Sequence, residues 1–150
     1  STEASISPEL KTVIKDNGFK AIIVCPSNPY LSIDPILSIK EIKSFIESSS
    51  IPVVAVSPIV GGKALRGPTA KIMHEMDIPV SVMGIAEHYH PLIDGLVIDH
   101  KDKIMSSKMQ SMGIEVQVTN TVMNCDSDKI QLAQDVVEFS HMISVKKDSL

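Results

Sequence analysis

Val53-Val54-Ala55-Val56-Ser57-Pro58-Ile59-Val60-Gly61-Gly62-Lys63-Ala64-Leu65-Arg66-Gly67-Pro68 is the stretch that decides the fold. Its first four residues are apolar and mostly β-branched, the composition of a strand buried on both faces. Pro68 opens a segment with apolar residues at helical spacing, and proline is at home in a first helical turn. Between strand and helix lies a glycine-rich basic loop. This succession is a common way to hold a phosphate. The N–H groups at a helix start lack intrahelical partners, and the helix dipole adds about half a positive charge there. Lys63, Arg66 and Lys71 lie in or near the loop, and no acid occurs between Ile51 and Lys71. Gly61-Gly62 permits positive φ and close approach of backbone to ligand. The loop is not a Walker A motif, because Gly62-Lys63 precedes Ala64 rather than Ser or Thr. The bland alternative is a flexible surface turn with both cations in solvent.

The pattern continues on either side. Upstream, Ser7-Pro8-Glu9 reads as an N-cap, an N1 proline and a first-turn acid, opening a helix that stops at Asn17-Gly18. Lys20 to Cys25 reads as a buried strand, and Pro26 to Asp34 as a polar loop. Asp34-Pro35 opens a second helix that carries Ile36, Leu37, Ile39, Ile42, Phe45 and Ile46 and ends at Ser48-Ser49-Ser50. Ile51 to Val56 is the second strand. Downstream come a helix from Pro68 through Met73 and Met76, a short helix over Val80 to Tyr89, and a third strand over Gly95 to Asp99. A helix over Lys101 to Met112 ends at Gly113, Ile114 to Val118 is a fourth strand, and a final amphipathic helix runs from Asp126 to about Ile143. The polar tail Lys146 to Leu150 reads as frayed. Short buried strands alternating with helices predict βαβ crossovers. The fold class is α/β: three layers, a mostly parallel sheet of about four strands, and helices on both faces.

The chain of 150 residues has the size of one domain. Its hydrophobic fraction of 43% and charged fraction of 21% are those of a soluble globular protein. A net charge of −4 argues against a general nucleic-acid surface, and the absence of Trp argues against a base-stacking platform. The cysteines, Cys25 and Cys125, form no CxxC pattern and read as free thiols of a reducing compartment. No apolar run approaches the length of a membrane span, and the polar N-terminus lacks the pattern of a signal peptide. A cytoplasmic location is the resulting expectation. A first residue that is Ser implies a processed chain or part of a longer one.

In open parallel sheets, ligands bind beyond the carboxyl ends of the strands. Four polar segments fall there: Pro26–Asp34, Ser57–Pro68, Asp99-His100-Lys101-Asp102 and Thr119-Asn120-Thr121. In the first, Ser27, Asn28 and Ser32 offer hydroxyl and amide groups for a ligand cradle. The same residues are also ordinary turn formers, and Asp34 is an ordinary N-cap. At nine residues the loop exceeds the usual two to six of a βα connection. His88-Tyr89-His90 has no HExxH or Cys companion, so a surface helix end outweighs a metal site. Asp99, at a strand's carboxyl end, is the best candidate for a magnesium ligand, whereas Asp94 and Asp102 read as caps. The methionines, among them Met73, Met76, Met105, Met109 and Met112, read as core filler.

Taken together, Pro26-Ser27-Asn28-Pro29 with Ser32-Ile33-Asp34-Pro35-Ile36-Leu37 resembles the second half of the 2-phospho-L-lactate transferase (CofD) family. So do Val54 to Gly62 with Gly67-Pro68-Thr69-Ala70-Lys71, Asp94-Gly95-Leu96-Val97-Ile98-Asp99, and Thr119-Asn120-Thr121-Val122-Met123. The resemblance implies a Rossmann-like half of a larger fold. It also implies a Mg2+-dependent transfer of a lactyl-phosphate group from lactyl-diphospho-guanosine to the deazaflavin alcohol Fo. GMP leaves, and the product is the core of coenzyme F-420. The implied phosphate- and nucleotide-binding residues are Ser27, Asn28, Pro29, Ser32, Ser57, Gly61, Gly62, Lys63, Arg66 and Gly67, with Asp99 for the metal; no catalytic residue is assigned. Members of the family are considerably longer and begin with a glycine-rich nucleotide loop that this chain lacks. The implied partners are therefore a missing N-terminal half or further copies in a homo-oligomer, and the chain alone is expected to be inactive. Two other readings stand beside this one. One is a sugar-nucleotide binding module of the related gluconeogenesis-factor type. The other is an interaction protein whose sheet edge and apolar helices dock a partner chain.

Overall fold

A computed structural model of the chain describes residues 4–16, 18–65 and 67–149. Four parallel strands form the central sheet: β1 (Ile22–Val24), β2 (Val53–Val56), β5 (Gly95–Asp99) and β6 (Glu115–Thr119), side by side in that order. A two-stranded antiparallel hairpin, β3 (Ile59–Val60) and β4 (Lys63–Ala64), rises from the loop after β2. The helices are α1 (Pro8–Asp16), α2 (Asp34–Leu37), α3 (Lys40–Ser48), α4 (Thr69–Glu75), α5 (Val82–Tyr89), α6 (Ser106–Gln110) and α7 (Asp126–Asp148).

Every residue of β2 and β5 is buried, as their near-continuous apolar runs require. Their side chains alternate between two cores. Val53, Ala55, Leu96 and Ile98 join Ile46, Met73, Ile85 and Met109 from the connecting helices. Val54, Val56 and Val97 meet Leu132, Val136, Phe139 and Ile143 of α7. This division follows from topology. Right-handed crossovers between strands laid down in one direction put every connecting helix on the same face. Helices do occupy both faces, and among the described residues α7 supplies the helical side of the second core.

Several element boundaries differ from the sequence reading. The second predicted helix is broken. A π-helical turn, Pro29–Ile33, leads into the single turn of α2, and the chain bends at Ser38 and Ile39 before α3. The Lys101–Met112 helix begins as a 3-10 stretch over His100–Met105, capped by Asp99, before α6. The tail is not frayed. α7 continues to Asp148, Lys147 pairs with Asp94 at 2.7 Å, and Lys146 pairs with Glu115. Met73 and Met109 are core residues, whereas Met76 and Met105 are exposed. Asn17, the expected stop of the first helix, lies outside the described residues. Among the described residues no helix is long and apolar enough to cross a membrane.

At Gly95 the side chains of α7 lie directly against the sheet backbone. A Cβ there would stand 2.6 Å from Ile143 Cδ1 and 2.7 Å from Phe139 Cε1. Both side chains are buried in a close-packed core with no spare volume to yield. Gly95→Ala is therefore expected to lower the unfolding free energy by about 1–3 kcal/mol, read as a lower urea midpoint.

Candidate functional site

The four strand-end loops converge because their strands are neighbours. The structure shows what holds them. In the first loop the Asn28 side-chain oxygen accepts from the backbone N–H groups of Tyr30 and Leu31, both at 3.0 Å. Two N–H donors fix which end of the carboxamide is oxygen, since an NH2 group accepts nothing. The Nδ2 group of Asn28 therefore points the other way, where it is buried without a partner in the protein. The hydroxyl of Tyr30 is likewise buried and unpaired. A buried donor without an acceptor costs about 1–3 kcal/mol, which a ligand oxygen would return. Ser27 and Asn28 are half-buried, Pro29 is buried and Ser32 is exposed. The turn at Pro29–Ile33 packs against α4, which joins the first loop to the second.

The second loop is ordered rather than a floppy turn. Ser57 is buried; its hydroxyl donates to the Ile59 carbonyl and accepts from the Ile59 N–H, each at 3.1 Å. That double use builds the turn and leaves Ser57 a structural role. Ile59 and Val60 anchor the hairpin in the core. Gly61 and Gly62 form its tip with φ of 56° and 73°. Two successive positive φ values are what a type I′ turn demands, and the pair of glycines supplies them without strain. Lys63 is exposed, as is Gly67. Lys71 has gone to its own helix, 3.7 Å from Glu75. Arg66 lies outside the described residues.

The sequence reading placed no acid near this loop; the fold brings one. Asp102, from the loop after β5, accepts the Gly61 N–H through Oδ2 at 2.8 Å and is buried. It is not a helix cap. Its neighbour Asp99 accepts from Lys101 N–H at 3.1 Å and, through the other oxygen, from Thr121 N–H at 3.2 Å. Asp94 also reaches across the sheet, accepting from Val53 N–H at 2.8 Å. All three separations run over 41 or 22 residues or into a local turn, and sequence spacing gives no sign of them.

The resemblance calls for magnesium. Among the described residues no three His, Cys, Asp or Glu side chains come together into an all-protein metal nest; magnesium commonly takes one or two carboxylates together with substrate phosphates. Both oxygens of Asp99 already hold backbone N–H groups. Lys63, exposed beside the hairpin tip, is a cation that this end of the sheet presents to solvent.

The His88-Tyr89-His90 segment is more than a surface helix end. His88 Nε2 lies 2.9 Å from Asp34 Oδ1, its ring meets the edge of Tyr30 with centroids 4.8 Å apart, and Tyr89 is buried. Asp34 thus ties the end of the first loop to α5. A cleft of about 400 Å3 opens here, lined by Asp34 at the end of the first loop, by Leu37 and Lys43, and by the end of α5. Burial, seconded by the Asp34 charge, pushes the phenols of Tyr30 and Tyr89 above their ordinary value, Tyr89 the further. The unfolded chain deprotonates first, so the stabilisation is whole below about pH 10 and falls away as pH rises past it. These are the chain's two tyrosines. Tyrosinate absorbance at about pH 10 is expected to stay well under the half-ionised level until the protein unfolds. A half-height signal from a still-folded sample would contradict this.

Comparison with known proteins agrees with the loops. The family model described as 2-phospho-L-lactate transferase CofD matches residues 1–140. A 2-phospho-L-lactate transferase of Methanocaldococcus jannaschii is 44% identical over 118 residues, 79% of this chain and 36% of the relative. One from Methanococcus maripaludis strain S2 is 41% identical over 118 residues, covering 79% of this chain and 37% of the relative. One from Methanosarcina mazei is 34% identical over 137 residues, 91% of this chain and 44% of the relative. The chain thus spans between 36% and 44% of the length of these relatives.

Proposed function

This chain belongs to the 2-phospho-L-lactate transferase CofD family, and on that premise we propose that its strand-end loops hold the diphosphate of a lactyl-diphospho-guanosine donor. The observation that carries the reading is the buried, unpaired Nδ2 of Asn28. Asn28 has two tasks. Its oxygen shapes the turn, and its NH2 group offers two hydrogens to a phosphate oxygen. Ser27 and the exposed Ser32 flank it. Across the gap to the second strand, Lys63 offsets the negative charge, with the Gly61–Gly67 loop as the wall that carries it.

The reaction is phosphoryl transfer to the ribityl hydroxyl of Fo. The hydroxyl oxygen attacks the donor's distal phosphorus, the bond from that phosphorus to the bridging oxygen breaks, and GMP leaves. Such a reaction asks the protein for positioning and charge neutralisation rather than covalent chemistry. This chain contributes the holding of the donor.

Asn28→Asp separates the two tasks. It keeps an acceptor for the Tyr30 and Leu31 N–H groups but turns a second oxygen, with charge, toward the anion. By calorimetric titration with GDP, carried out at a temperature where circular dichroism shows the variant folded, it is expected to bind about tenfold more weakly or worse, the equivalent of about 1.4 kcal/mol; the buried unpaired charge is expected to lower its melting temperature as well. GDP binding that survives the substitution removes Asn28 from the site. A preference for UDP-sugars over GDP would favour a sugar-nucleotide module instead.

A further inference from the structure

We propose that Asp102 is a positioning residue for the diphosphate loop: its buried carboxylate locks the Gly61-Gly62 turn and so fixes where Lys63 stands. The inference rests on the reading of that loop as the donor's diphosphate site. Three observations carry it. First, Asp102 is only 8% exposed although aspartate is among the residues least often buried. Its Oδ2 accepts the Gly61 N–H at 2.8 Å, from 41 residues away. Second, the bond lands on the first residue of the tip, where φ is 56° and where the preceding Val60 and following Gly62 define the hairpin. Two adjacent glycines are the most conformationally free pair a chain can have, so an untethered tip would surrender that freedom only when ligand arrives. Third, the carboxylate is itself held. It sits in the 3-10 stretch that Asp99 caps through the Lys101 N–H, and Lys101 packs its side chain within 3.5 Å of where a Gly61 Cβ would be.

The charge of Asp102 has the wrong sign for an anion site. Its presence there makes sense as order obtained at some expense in attraction, because a charge-assisted hydrogen bond to an N–H is stronger than a neutral one. The carboxylate lies under the hairpin while Gly61, Gly62 and Lys63 are exposed. It therefore leaves their outer side free for a ligand.

The test compares the parent chain with Asp102→Asn, which keeps an acceptor but no charge, and Asp102→Ala, which keeps neither. GDP affinity is measured by calorimetry and exchange of the Gly61 amide by NMR. The expected result is GDP affinity within about threefold of the parent for Asp102→Asn and at least about tenfold weaker for Asp102→Ala. The Gly61 amide stays protected in the first and exchanges fast in the second. Equal affinity in Asp102→Ala overturns the inference, and so does tighter binding in both variants, which would make the carboxylate a repelling charge only. Should Asp102→Ala fail to fold, Asp102→Asn decides: lost binding with Gly61 still protected overturns it. A parent chain that ignores GDP brings down the diphosphate reading as well, whereas a binding parent with an indifferent Asp102→Ala brings down this inference alone.

Discussion

The parallel pairing of β2 with β5 is the constraint on which the molecule rests. Val54 stands beside Gly95, Ala55 beside Leu96 and Val56 beside Val97, and every one of these residues is buried. Because side chains alternate across a sheet, this register decides which residues feed each core, and a slip of one position would turn both cores inside out. It also sets the height at which the two strands end. Ser57 donates its N–H to the Val97 carbonyl at 2.9 Å, so the hairpin loop departs from a point fixed by β5. The loop that carries Asp99 and Asp102 leaves from the same level.

Two aspartates, Asp99 and Asp102, brace that shared level, and a third, Asp94, braces the opposite ends of the same strands. Asp99 and Asp102 are buried and Asp94 is half-buried. Asp94 clamps the lower ends of β2 and β5 and takes the ammonium of Lys147; Asp99 holds the Thr121 turn; Asp102 holds Gly61. Carboxylates are strong acceptors for backbone N–H groups that no strand partner reaches. Their placement at the two ends of one strand lets a single element, β5, brace its neighbours on both sides.

Much of this was legible from the residues alone. The greasy runs Val53–Val56 and Gly95–Asp99 announced buried parallel strands, and Asn28 and Gly61-Gly62 stood out as loop residues with chemistry to offer. What stayed hidden was of two kinds. Local competition shaped the chain on both sides of Asp34: Asn28 captures two N–H groups and starts a π-helical turn before it, and Ser38, its hydroxyl turned back on the Pro35 carbonyl, marks the break after it, preferences that apolar spacing over Ile36 to Ile46 does not register. Long-range partners were invisible for a different reason. Asp94 and Asp102 look like caps in sequence because acids near helix starts usually are; only the fold reveals that a strand amide or a glycine tip lies closer. Lys146 and Lys147 looked like a solvated tail, and are instead the last turn of α7, pinned by Glu115 and Asp94.

The lopsided layering has a consequence for how the chain is made. The face formed by Val54, Val56 and Val97 has α7 as its cover, and Leu132 to Ile143 follow those strands in the chain. The connecting helices can close their side as each crossover emerges, whereas within the described residues the valine side takes its helical cover from α7. Nascent chains grow at about 5–20 residues per second, so α7 follows β5 by some seconds of synthesis. The order of the chain therefore leaves one core to be completed last, by the helix that also pins Lys147 to Asp94.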